Sequence, residues 1–291
     1  MFENVLVGVD GRIYGRDAIA LAAQLAGSAG KLTLAHVRPG ELRPLNAHTP
    51  GLLAEEREAS LQLLERERAD AGVQAQLASV IASSPGAGLH REAEEIAADL
   101  LVVGSCSRGT FGRATLGDDT RAALNGAPCA VAIAARGFAE DPAPPAKIGV
   151  AYNGSAESQA ALAKARALAQ SSGASVTALE VVVVPSYAFT GMVAPALGDS
   201  IDLMLTEANE RLAKLPGVQG RAVYGLAGEE LAAFGQEVDL LVVGSRGYGP
   251  FKRLVLGSTS DYLERHARCS LLVLPRMPEQ ASAPVGPRSD S

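Results

Sequence analysis

"LLVVGSRGYGPFKRLVLGSTS", Leu240 to Ser260, leaves a wholly apolar run through a series of glycines and closes on Gly-Ser before helix-like sequence. Nearly the same text stands upstream as "LLVVGSCSRGTFGRATLGDDT", Leu100 to Thr120, which matches it without a gap at 11 of 21 positions. A match this long implies one folding unit present twice. It extends outward on both sides: "ENVLVGVDG" (Glu3–Gly11) answers "AKIGVAYNG" (Ala146–Gly154), and "APCAVAIA" (Ala127–Ala134) answers "ARCSLLVL" (Ala267–Leu274). The 291 residues are more than one core of ordinary size needs. The expected division is a first domain over residues 1–136, a proline-rich linker over 137–146, a second domain over 147–276 and a disordered tail over 277–291.

Within each copy, short Val/Leu/Ile runs flanked by turn residues alternate with stretches of helical period. In "SIDLMLTEANERLAKLPG", Ile201, Leu205, Ala208, Leu212 and Leu215 recur at helical spacing, and Pro216-Gly217 ends the run. Five strands alternating with four helices predict a doubly wound α/β domain on a parallel sheet, built twice in tandem.

Composition narrows the functions. Aromatic residues make up 4% of the chain and tryptophan is absent, which argues against a base-stacking surface. The net charge of −6, without a long Lys/Arg block, argues against a phosphate-backbone track; nucleic acid is not an expected partner. No run approaches the ~20 apolar residues of a membrane span, and "MFENVLVGVDG" lacks the features of an export signal, so the expected location is cytoplasmic. Cys106, Cys129 and Cys269 are odd in number and include no Cys-x-x-Cys, which predicts reduced, structural thiols. His36, His48, His90 and His266 show no metal spacing, and no metal site is expected.

In a doubly wound sheet, ligands sit beyond the carboxyl ends of the strands at the point where strand order reverses. Strand 1 of the second copy ends at Tyr152-Asn153-Gly154, and its strand 4 ends at Gly244. If those strands are neighbours, both ends face one crevice. There the pattern reads Gly244-x-x-Gly247, nine residues, then Gly257-Ser258. Glycines let backbone N–H groups approach an anion, and the unpaired amides at a helix start attract one. Ser258 and Thr259 add neutral hydroxyl donors, with Ser260 in the same turn. The plain alternative is that Ser258 only caps the helix, with Asp261 as its partner, and that the glycines only form a turn. Phe251, Leu254 and Leu256 are expected to anchor the loop in the core. A Walker lysine loop, a Gly-x-Ser-x-Gly elbow and a base placed to orient water are all missing, so no catalytic residue is assigned.

Both halves resemble universal stress protein domains. The second carries that family's Gly-x-x-Gly-x9-Gly-Ser loop at Gly244, Gly247, Gly257 and Ser258, and "VGVDG" (Val7–Gly11) and "AHV" (Ala35–Val37) are also similar to the family. The resemblance implies a five-stranded sheet in the order 3-2-1-4-5 and, where the loop is intact, bound ATP. It places adenine near Asn153 and Val181, or near Asp10 and Val37 in the first copy.

The first copy departs from this pattern: Ser107 stands in the place of Gly247, and Asp118 in the place of Ser258. A carboxylate there would oppose a phosphate by about 4 kcal/mol at ~4 Å and an effective dielectric near 20. Mg2+ bridging Asp118 and phosphate oxygens would relieve this. A weaker first-half site would comprise Asp10, Val37, Gly104, Gly117 and Thr120. The expected function is ATP-dependent regulation with little turnover. The alternatives are slow ATP hydrolysis or adenylyl transfer, and a nucleotide-free dimerisation scaffold. The last strands, "CAVAIAA" and "CSLLVLP", are apolar on both faces although the sheet order puts them at an edge, so the two halves are expected to pair there as an intrachain pseudo-dimer. Further dimerisation of the whole chain is a compatible expectation that no motif supports.

Overall fold

The computed structural model describes residues 1–27, 29–40, 50–105, 107–108, 115–116, 118–183, 194–245, 254 and 257–275. The first half contains β1 (Asn4–Gly8), α1 (Ile13–Ala26), β2 (Lys31–Pro39), α2 (Pro50–Ala71), β3 (Ala75–Ala82), α3 (Pro85–Glu95) and β4 (Leu100–Gly104). It continues with two short strands, β5 (Ser107–Arg108) and β6 (Thr115–Leu116), then α4 (Asp118–Leu124) and β7 (Ala130–Ala134). The second half repeats the plan with β8 (Lys147–Ala151), α5 (Ala156–Ser172), β9 (Ser175–Val182), α6 (Ala194–Ala213), β10 (Gln219–Tyr224), α7 (Ala227–Phe234), β11 (Leu240–Gly244), α8 (Ser258–His266) and β12 (Ser270–Leu274).

Each half is a parallel sheet in the order 3-2-1-4-5, and the two join into ten strands, β10-β9-β8-β11-β12-β7-β4-β1-β2-β3. The join is antiparallel: Leu271, Leu272 and Val273 of β12 pair with Ile133, Ala132 and Val131 of β7. The apolar edges foreseen in "CAVAIAA" and "CSLLVLP" therefore cover each other. Among the described residues no helix is long and apolar enough to cross a membrane.

Period two along the strands sorts side chains onto two faces. Leu100 and Val102, like their counterparts Leu240 and Val242, belong to one core with residues of α1 and α5. Leu101 and Val103, like Leu241 and Val243, belong to the other core with residues of α3, α4, α7 and α8. Both cores run through both halves, so neither half closes its own hydrophobic surface. Cys129 and Cys269 occupy equivalent buried places, and burial pushes their thiols up to about 12 and about 11, which keeps them neutral.

The stretch that follows the first half begins with a fastened turn. Asp17 of α1 is buried, and its carboxylate accepts the Gly137 N–H at 3.0 Å and the Ala139 N–H at 2.8 Å. The 3-10 turn Phe138–Glu140 is thereby held on α1, with Phe138 packed against the first core. On the charged helix α2, Glu67 is buried and paired to Arg16 at 3.0 Å. The segment 277–291 lies outside the described residues.

Candidate functional site

The second half's reversal point lies where β8 runs between β9 and β11. A cavity of about 140 Å³ opens there beyond the strand ends. Tyr152 and Asn153 enter it from the end of β8, Val181 from β9, Gly244 from β11, and Gly257, Ser258, Thr259 and Ser260 from the start of α8. Eight of the nine residues read from the sequence therefore line one cavity; the ninth, Gly247, lies outside the described residues.

Local chemistry sets each wall. Asn153 Oδ1 accepts the Ser155 N–H at 3.1 Å, which folds the chain into a side-chain-closed turn. Ser155 then caps α5 by accepting the Ser158 N–H at 3.2 Å. The start of α8 differs. Its N-cap is Gly257, no side chain caps it, and Ser258 is already the first helical residue. The plain reading of Ser258 as an N-cap partnered by Asp261 is therefore corrected: the Asp261 N–H bonds the Gly257 carbonyl at 2.9 Å, and the Asp261 carboxylate faces arginines. Ser258 is exposed, Thr259 half-buried and Ser260 buried, so the hydroxyl residues step from solvent into the wall. An uncapped first turn with adjoining hydroxyls is a donor surface suited to an anion.

Gly244 has a further role that spacing did not reveal. A Cβ there would come within 2.8 Å of the Glu157 carbonyl oxygen, so this glycine is required for α5 to seat against β11. Gly104 stands in the same relation to the Tyr14 carbonyl of α1. Gly15, at the start of α1, would meet only ordinary contacts.

The first half has an equivalent cavity of about 120 Å³, where Asp10, Val37 and Gly104 meet Tyr14, His36 and Leu89. Asp10 Oδ1 accepts the Arg12 N–H at 3.0 Å, the same turn that Asn153 makes. Its acceptor is thus engaged in both halves. His36 Nδ1 lies 2.9 Å from Ser60 Oγ, and burial, followed by Arg38, lowers its pKa against the opposing pull of Asp10. Gly117 lies outside the described residues, and Thr120 belongs to α4.

Comparison with known proteins decides the family. The Universal stress protein family profile matches residues 1–135 and again 145–275. The chain belongs to the universal stress protein family. A Thermus aquaticus relative, the universal stress protein in the QAH/OAS sulfhydrylase 3' region, is 31% identical over 130 residues, covering 43% of this chain and 95% of that protein. Two solved structures share the fold across both halves. A universal stress protein from Archaeoglobus fulgidus DSM 4304 has a TM-score of 0.63 at 17% identity, covering 93% of this chain and 97% of the other. A putative universal stress protein from Pseudomonas aeruginosa UCBPP-PA14 has a TM-score of 0.62 at 19% identity, covering 94% of each chain.

In this universal stress protein the remaining wall of the second cavity comes from residues the spacing did not single out. Ser155, the cap of α5, lines it with Glu157 and Ser158 of that helix, Leu179 and Val183 from β9 and its end, Ala227 and Leu231 from α7, and Ala151 and Val243 from β8 and β11. The readable signal for the first three was "NGSAES", a strand end running straight into a capped helix. The apolar members carry no signal beyond strand and helix period. The histidines are spoken for by ordinary contacts: His90 Nε2 meets the Ala123 carbonyl at 2.8 Å, and His266 stacks on Tyr262. His48 lies outside the described residues, among which no group of three or more His, Cys, Asp or Glu is arranged to hold a metal ion.

Proposed function

We propose that this universal stress protein holds ATP in its second-half cavity and acts as a nucleotide-dependent regulator whose occupancy, rather than turnover, is the output. One observation carries the reading: the uncapped first turn of α8, with Ser258, Thr259 and Ser260, opens on the same cavity as the Asn153 turn and the apolar wall of Leu179 and Val181. In this reading the base lies against the apolar wall. A ribose hydroxyl meets Asn153, whose side-chain amide can donate while its oxygen closes the turn. The phosphates meet the α8 amides and hydroxyls. Mg2+ would enter on the phosphate oxygens, the hard ligands it prefers. The first half binds the same ligand weakly or not at all, because Asp118 opens α4 where Ser258 opens α8. Two buried, free thiols suit a reducing, cytoplasmic setting.

Denaturing freshly purified protein and chromatographing the released small molecules tests the reading. Close to one ATP per chain is the expected result. A chain that emerges empty and also ignores added ATP, ADP, AMP and cAMP would overturn it and leave the scaffold alternative. Slow hydrolysis is a second reading, favoured by Glu157 as an acidic residue of the cavity wall. Phosphate release that stops in Glu157→Gln protein would support it.

A further inference from the structure

The first half touches the second half at two places next to the cavity's α8 wall: at Leu254, ahead of α8, and at Asp261, within it. Leu254, in the segment between β11 and α8, is fully buried and shares a core with Ala123, Leu124 and Ala127 of the first half. Its N–H donates to the Ala127 carbonyl at 2.9 Å, and its carbonyl accepts the Gly126 N–H at 2.8 Å. Gly126 has a φ of +88°, a conformation that lets the turn after α4 present both groups to a visiting strand of backbone. Leu254 is therefore buried in the core as expected, with its backbone held by the twin half; Phe251 and Leu256 lie outside the described residues.

The second contact is ionic. Arg121 of α4 places its guanidinium 3.0 Å from Asp261 Oδ1, while Arg265 of α8 holds Asp261 Oδ2 at 2.5 Å. The Arg121 contact lies at ion-pair distance without hydrogen-bond geometry, so it acts through charge. Asp261 directly follows Ser258, Thr259 and Ser260 in the first turn of α8. A carboxylate in that turn favours the helix but repels an anion approaching the same amides. Glu264, one turn further, is a second acid whose proton is retained more readily because of burial and Asp261. Arg265 faces these acids from within the half and Arg121 from outside it, and both guanidinium groups are aimed at Asp261.

We propose that Arg121 is a positioning residue for anion binding in the opposite half: by neutralising Asp261 beside the Leu254 clasp, the first half makes the α8 turn receptive to phosphate. The inference rests on the nucleotide reading above. By linkage, a polyphosphate in the second half must in turn strengthen the docking of the first half. The first half, with its altered loop, then has a part to play without binding nucleotide itself.

The test is calorimetry on the full chain with ATP and, in parallel, adenosine, which shares the base and ribose but carries no phosphate. Arg121→Ala should weaken ATP about two- to fivefold, the range for one charge at a helix start, and leave adenosine unchanged. Arg121→Lys should restore ATP binding, and on an Asp261→Asn background Arg121→Ala should have no effect. Equal ATP affinity in wild type and Arg121→Ala, or equal loss of ATP and adenosine, overturns the inference while leaving the nucleotide reading intact. A wild-type chain that binds neither ligand overturns both. Hydrogen exchange on the wild-type chain is independent of any misfolded variant: ATP should slow exchange across residues 118–128, and unchanged exchange there overturns the linkage.

Discussion

Leu272 of β12 lies opposite Ala132 of β7 in antiparallel register, and neither side chain reaches solvent. Each five-stranded sheet alone would end on this apolar strand with its backbone groups unpaired, a template for aggregation. Pairing the two edges removes both liabilities and joins the cores on either face. Leu272→Ala should therefore cost about 2–5 kcal/mol, the range for emptying a buried leucine site. Urea unfolding should show a lower midpoint with a single transition. An unchanged midpoint would mean that the join contributes little.

The carboxylate of Asp17 organises the chain as it leaves the first half. Two backbone N–H groups converge on it, and hydrogen bonds to a charged group contribute about 1.5–3 kcal/mol each. Asp17→Ala should destabilise the protein by about 3–6 kcal/mol and quicken tryptic cleavage after Arg136. Cleavage at the wild-type rate would show that this turn is held by Phe138 packing alone.

Exchanging the residues that open α4 and α8 tests the asymmetry between the halves. Ser258→Asp should weaken ATP by about tenfold or more, since ~1.4 kcal/mol of repulsion already gives that factor. The paired change Ser107→Gly with Asp118→Ser should raise the nucleotide released per chain on denaturation. Full retention of nucleotide by Ser258→Asp protein would move the ligand to the first half.

His36 gives the stability a pH dependence with a definite sign. Burial lowers its folded pKa below the unfolded value of 6.5, so the unfolded chain takes up the proton first. Its contribution is present above 6.5 and is lost as pH falls from there through the folded pKa. Urea midpoints measured from about pH 7 down to about pH 5 should fall, and His36→Gln should flatten that part of the curve. The groups facing this imidazole are Ser60, Arg38 and Asp10, and Asp10 acts in the opposite direction. A slope that survives His36→Gln would assign it elsewhere.

Much of this architecture is legible in one dimension because it is written by local periods. "LLVVG" at Leu100 and again at Leu240 alternates between two cores with period two, and the helical stretches end at glycine or proline. Strand ends at Asn153 and Gly244, once placed at a sheet's reversal point, bring Tyr152, Val181 and Ser258 onto one cavity without any contact having to be known. The repeat adds its own comparison, since Asp118 stands out only because Ser258 exists.

What the order of residues left open are relationships across long separations. Asp17 meets Gly137 from 120 residues away, and Arg121 reaches Asp261 from the other half. No period links such positions, because each depends on how two finished sheets lie edge to edge. The role of Gly244 was hidden for the same reason: spacing shows that a side chain is missing, but only packing shows that the Glu157 carbonyl occupies its place. Period and repetition are properties of neighbours along the chain and determined the fold class; charge balance and backbone clasps arise between surfaces, and the tertiary structure alone decided them.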